Sequence, residues 1–140
     1  MTEARTATLA AARAPTAADI DALARAAFAQ LPATFRRLCE GLVVQVVDFA
    51  DDETLEEMGI ESEFDLLGLF RGRGLPHRPA VDETGALPNM IWLYRRPLLD
   101  FGCEGEDTLG AVVAHVLVHE IGHHFGLSDD DMAAIETAAG

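Results

Sequence analysis

The stretch His115-Val-Leu-Val-His119-Glu120-Ile-Gly-His123-His124-Phe-Gly126-Leu-Ser-Asp129 restricts the fold more than any other part of this chain. From Leu109 to Ile121 the residues are mostly apolar, as expected of a helix that is largely buried. Such a helix carries imidazoles and a carboxylate, and buried groups of that kind are costly unless hydrogen-bonded, paired or bound to a metal. His119 and His123 stand four residues apart, so a helix projects both from one face. Two imidazoles at that spacing can close on one Zn²⁺ at about 2.0–2.1 Å each. Glu120 lies about 100° around the helix from His119, beside the metal rather than on it, where it can take a proton from water. Gly126 follows His123 by three residues. Glycine adopts positive φ at little cost, so a sharp turn there lets Asp129 swing back as a third ligand. The fourth position then stays open for water, as in catalytic zinc sites. The competing reading is a set of core histidines satisfied by hydrogen bonds.

The pattern H-E-x-x-H-x-x-G-x-x-D resembles the zincin metallopeptidases, with Asp129 standing where metzincins carry a third His. The wider chain resembles the minimal zincin-like metallopeptidase family of small bacterial proteins. The matching residues are Leu66-Leu67-Gly68-Leu69-Phe70-Arg71-Gly72, Ile91-Trp92-Leu93-Tyr94-Arg95-Arg96-Pro97-Leu98 and the helix above, within about residues 20–135. The resemblance implies an α+β, zincin-like domain: a small mixed β-sheet with an N-terminal helix and a zinc-binding active-site helix. It implies Zn²⁺ as cofactor, His119, His123 and Asp129 as its ligands, Glu120 as general base, and a peptide or protein as substrate. Two departures stand out. No segment after Asp129 makes a metzincin Met-turn, since Met132 is only three residues on and in an expected helix. Little chain follows Asp129, so the cleft is expected to have a single wall. The alternative function is therefore a zinc- or peptide-binding module of this fold that does not hydrolyse. A purely structural zinc site is a third reading, opposed by Glu120 beside an open coordination position.

Length and charge bound these readings. A chain of 140 residues is one domain with a modest core. Its formal charge of −14 opposes nucleic-acid binding, which uses basic surfaces. The acids cluster at Asp48–Asp65, Asp100–Asp107 and Asp129–Asp131, a solvated surface or a preference for cationic peptides. Cys39 and Cys103 have no metal-type spacing and read as free thiols of a cytoplasmic protein, with a single disulfide as the alternative. No apolar run approaches the length of a membrane span, and the start has no signal-peptide core.

Residues 1–15 are Ala-, Thr- and Arg-rich with few large apolar groups, so they are expected to form a disordered tail before a domain at 16–140. Thr16-Ala-Ala-Asp19 has the form of a capping box, and Ile20, Leu23, Ala27 and Leu31 continue at helical spacing to about Gln30. Phe35 and Leu38 suggest a further turn before Gly41. Leu42–Phe49 is rich in β-branched residues and predicts a first strand. Asp51–Glu57 predicts a short helix stopped by Gly59, and Leu66–Phe70 a second strand. Arg71–Pro79 reads as a loop and Asp82–Gly85 as a turn. Met90–Arg95 predicts a third strand ended by Pro97. Leu98–Phe101 is expected as a short turn and Gly102–Glu106 as a loop. Asp107 or Thr108 caps the metal-site helix, which runs to about Phe125. A last short helix opens at Ser128 or Asp129.

Several residues are secondary candidates. His115 precedes His119 by one turn and completes a stripe; the readings are a ligand, a residue of the cleft wall, or a hydrogen-bonded core histidine. Glu136 is a rival third ligand, because gluzincins use a downstream Glu. His124 lies near the face of Glu120 or is simply half-exposed at the helix end. His77 and the arginines of the Arg71–Pro79 loop read as substrate contacts or as a surface loop. Tyr94 reads as an oxyanion donor or as core.

Overall fold

The computed structural model describes residues 2–72 and 89–139. Its elements are α1 (Thr2–Ala11), α2 (Ala17–Gln30), α3 (Ala33–Arg36), β1 (Val43–Val47), α4 (Asp52–Met58), β2 (Gly68–Arg71), β3 (Met90–Tyr94), α5 (Arg95–Glu104), α6 (Leu109–His124) and α7 (Asp129–Ala139). The strands form a mixed sheet in the order β1-β3-β2. β1 runs parallel to β3, with Val44 opposite Ile91, and β2 runs antiparallel to it, with Phe70 opposite Ile91. This is an α+β fold with a small mixed sheet, as the sequence predicts.

Alternation along the strands sorts residues between the two faces of the sheet. Val44, Phe70, Ile91 and Leu93 join one buried cluster, together with Ile20 and Ala24 of α2 and Val113, Leu117 and Ile121 of α6. Leu69 and Tyr94 point to the opposite face and pack with Ala50, Leu55 and Leu66. Val113, Leu117, Val118 and Ile121 are fully enclosed, each contributing about 1.5–3 kcal/mol relative to exposure. They explain why so apolar a helix folds here: most of its circumference is covered by α2 and the sheet.

α2 begins with the predicted capping box, in which Thr16 Oγ1 accepts from Asp19 N–H at 3.1 Å and Thr16 N–H donates to Asp19 at 2.9 Å. The further turn at Phe35 is α3, continued by a 3₁₀ turn at Arg37–Cys39. Asp51 caps α4, accepting from Thr54 N–H at 2.8 Å. Both cysteines are free thiols, Cys39 buried and Cys103 exposed, and burial pushes the Cys39 thiol up to about 11. Among the described residues no helix is long and apolar enough to cross a membrane.

Two local expectations change. Residues 2–11, expected without structure, form α1, which buries none of its residues. Alanine-rich sequence has high helix propensity, and so short a helix without packing rests on that propensity alone. Pro97 does not end an extended segment. It sits in the first turn of α5, which runs on through the expected loop to Glu104. Proline is tolerated in a first turn, where its missing N–H has no intrahelical partner. The Arg71–Pro79 loop beyond Gly72, with His77, and the Asp82–Gly85 turn lie outside the described residues.

Candidate metal centre

The site is made by α6 and α7 and by the four-residue link between them. Thr108 Oγ1 caps α6 by accepting from Ala111 N–H at 3.1 Å. At the other end, Gly126 adopts φ +75°, Gly126 N–H donates to the His123 carbonyl at 3.1 Å, and Leu127 N–H donates to the Gly122 carbonyl at 2.9 Å. This pair of bonds is the Schellman ending, which needs a left-handed residue where Gly126 stands. α7 starts almost at once. Ser128 Oγ accepts from Asp131 N–H at 3.1 Å and Ser128 N–H donates to Asp131 at 3.2 Å, a reciprocal cap.

The chain therefore folds back, and α7 returns along α6. Met132 of α7 is fully buried, and it packs on Gly122. A Cβ at Gly122 would lie 2.5 Å from Met132 Sδ and 2.8 Å from its Cγ, so only glycine admits this approach. The only sign of this contact in the sequence is a small residue, Gly122, inside an otherwise bulky apolar run.

This packing delivers two carboxylates to the histidine stripe. Side-chain donors of His119, His123 and Asp129 all lie within 4.8 Å of one another. The structure brings together the three residues predicted from the motif. Two imidazole nitrogens and a carboxylate oxygen are a donor set that suits Zn²⁺, so the residues present fit the metal. His119 is half-buried. Its burial, and next the neighbouring His115, lower its pKa, which favours the neutral imidazole that ligation requires. Glu120 follows it on the helix, and burial raises its carboxyl above the ordinary range, with His123 acting in the opposite sense.

The rival carboxylate also reaches the stripe, at a different place. Glu136 Oε1 accepts from His115 Nδ1 at 2.9 Å, and its Oε2 lies 3.8 Å from His119 Nε2. The His115 and His119 rings lie 3.9 Å apart between centroids. His115, His119 and Glu136 form a second group whose donors all lie within 4.8 Å. His115 is exposed on the wall of a cleft of about 450 Å³, which Glu136, Asp107 and Phe101 also line.

The remaining candidates sit elsewhere. His124 packs edge-on against Phe70 of β2, with ring centroids 4.6 Å apart. Tyr94 is 3 % exposed and belongs to the cluster on the far face of the sheet, where burial raises its pKa. It is a core residue. Arg71 pairs with Glu57 at 2.8 Å and lines a cavity on that same far face.

A family model for zincin-like metallopeptidases matches residues 39–139, which include every described strand, α4 to α7 and both groups of donors. No curated protein matches the sequence.

Proposed function

The chain belongs to the zincin-like metallopeptidase family, and from that premise we propose that it hydrolyses peptide bonds with a zinc ion held by His119, His123 and Asp129. The observation that carries this reading is the convergence of those three side chains beside Glu120. When bound, Zn²⁺ supplies Lewis acidity, lowering the pKa of water toward about 7 and polarising the scissile carbonyl. Glu120 is the general base. It takes the proton from the attacking water and returns it to the leaving amine. Burial raises its pKa above the ordinary carboxylate range, which strengthens it as a proton acceptor.

β2 lies at an edge of the three-stranded sheet and packs against α6. We place an extended peptide along that edge, held by main-chain hydrogen bonds. Residues 16–140 are the functional domain, and α1 lies outside it. The acidic chain takes peptides rather than nucleic acid, and its two free thiols fit a cytoplasmic setting.

Glu120→Gln tests the proposal, because it keeps the shape of the side chain and removes the proton acceptor. The variant should fold, bind one zinc and lose about 10²–10⁴ of the hydrolysis rate, the usual share of general acid–base catalysis. Wild type and variant are compared on a mixed peptide library with zinc present. Equal cleavage by both identifies a contaminating protease. Absence of cleavage by both, with zinc bound in both, assigns the chain to the non-catalytic binding modules.

A further inference from the structure

α6 carries two overlapping histidine pairs, and α7 brings a carboxylate to each. His119 and His123 meet Asp129 at the start of α7, while His115 and His119 meet Glu136 two turns further along it. The second group repeats the chemistry of the first: two imidazoles four residues apart on one helix face, with one carboxylate opposite. We propose that His115, His119 and Glu136 form a second divalent-cation position, which shares His119 with the first and therefore competes with it.

The spacing suits an ion. Donor atoms tetrahedrally arranged around zinc at about 2.0–2.1 Å stand roughly 3.3 Å apart. One donor atom from each of His115, His119 and Glu136 lies within 4.8 Å of the other two, and Glu136 meets His115 through Oε1 at 2.9 Å and His119 through Oε2 at 3.8 Å. Small side-chain rotations bring the three donors onto a common centre. The His115 and Glu136 side chains are 56 % and 30 % exposed and both line the cleft of about 450 Å³, so an ion enters from solvent without any opening of the core. The donors select cations of the borderline class, such as Zn²⁺, Co²⁺ and Ni²⁺, over Mg²⁺ or Ca²⁺.

The two positions differ in what surrounds them. The first lies between His119 and His123, next in the chain to Glu120; the second lies one turn back along the helix. An ion at the second position occupies His119 and leaves the first incomplete. The second position holds a cation without placing it for hydrolysis. The inference rests on donor geometry and requires no peptidase activity.

The test uses the full chain and Co²⁺, whose visible spectrum reports its ligands. Asp129→Ala disables the first position only. The Ser128–Asp131 cap keeps α7 in place, and circular dichroism without metal checks the fold of every variant. Wild type should take up one Co²⁺ per chain. Asp129→Ala should still take up one, with an altered spectrum. Adding His115→Ala or Glu136→Gln to Asp129→Ala should weaken uptake by more than the roughly 10- to 100-fold typical of residues that only orient a ligand. Uptake by wild type but none by Asp129→Ala overturns the second position and leaves the first standing. Equal uptake by the single and double variants also overturns it, as do two ions per wild-type chain, which would mean that the positions do not compete. A wild-type chain that takes up no Co²⁺ overturns the proposed function and this inference together.

Discussion

The two faces of the sheet are built to different standards. One face lies under α2 and α6 and is closed by a continuous cluster running from Ile20 through Ile91 and Leu93 to Met132. The other carries Leu55, Leu66, Leu69 and Tyr94 under α4, and beside them lies a cavity of about 380 Å³ reached by Arg71 and Thr54. All the metal-binding candidates belong to the closed side. Asp129 and Glu136 reach the histidine stripe with Met132 buried in the core against Gly122, after the turn at Gly126. A site whose ligands come from two helices needs the helix pair fixed, so dense packing stands where the chemistry is.

This contrast predicts unequal costs for the same substitution. Leu93 is fully buried on the closed face, and Leu69, the second residue of β2, lies at 9 % exposure on the other. Leu93→Ala should cost about 2–5 kcal/mol in urea unfolding, and Leu69→Ala less than about 2 kcal/mol, because the site beside an open cavity can relax. Equal losses would break the comparison. Next in size is Gly122→Ala. The added methyl meets Met132, and overpacking should cost about 1–3 kcal/mol. Displacement of α7 should also weaken zinc binding measured by calorimetry. Stability lost with metal affinity unchanged would show that α7 does not set the ligand positions.

A smaller and purely local effect belongs to the open face. Hydrogen bonds from Thr54, side chain first and backbone next, hold the Asp51 carboxyl below its ordinary pKa. The sign follows: a carboxylate whose pKa is depressed on folding stabilises the fold above its unfolded value and loses that contribution as pH falls through the folded one. The protection of α4 amides, corrected for the intrinsic pH dependence of exchange, should therefore fall as pH drops below the ordinary aspartate range. Asp51→Asn should remove that dependence and leave α6 unchanged. Loosening of α6 along with α4 would join the two faces into one cooperative unit.

The fold class was legible in the sequence, and so was the placing of the candidate residues along their helix, for physical reasons. Helix periodicity alone places His119, Glu120 and His123, and Gly126 marks the turn by the one property its neighbours lack, tolerance of positive φ. Asp129 follows from that turn. The Glu136–His115 contact was not legible, because it depends on how α7 lies along α6, and that is decided by Met132 fitting over Gly122. α5 is hidden in the sequence by Pro97, which signals an end to regular structure, although a proline in a first helical turn removes no hydrogen bond. Tyr94 reads in the sequence as an oxyanion donor or as core, and its burial with Leu55, Leu66 and Leu69 favours core.

Among the described elements, α1 covers neither face of the sheet. α1 buries none of its residues, and Leu9, its large apolar side chain, is exposed. The tie between this end of the chain and the domain comes later, where Arg95 Nε donates to the Pro15 carbonyl at 2.6 Å. Deleting residues 1–14 keeps that contact and the Thr16 cap, and it exposes no apolar surface that α1 had covered. The deletion should shift unfolding free energy by no more than about 0.5 kcal/mol, the range of ordinary surface changes, and should leave zinc affinity unaltered. A larger loss in urea unfolding would mean that α1 packs on the domain in solution, and the open face, with its cavity and its exposed Val47 edge, is where such packing would be sought.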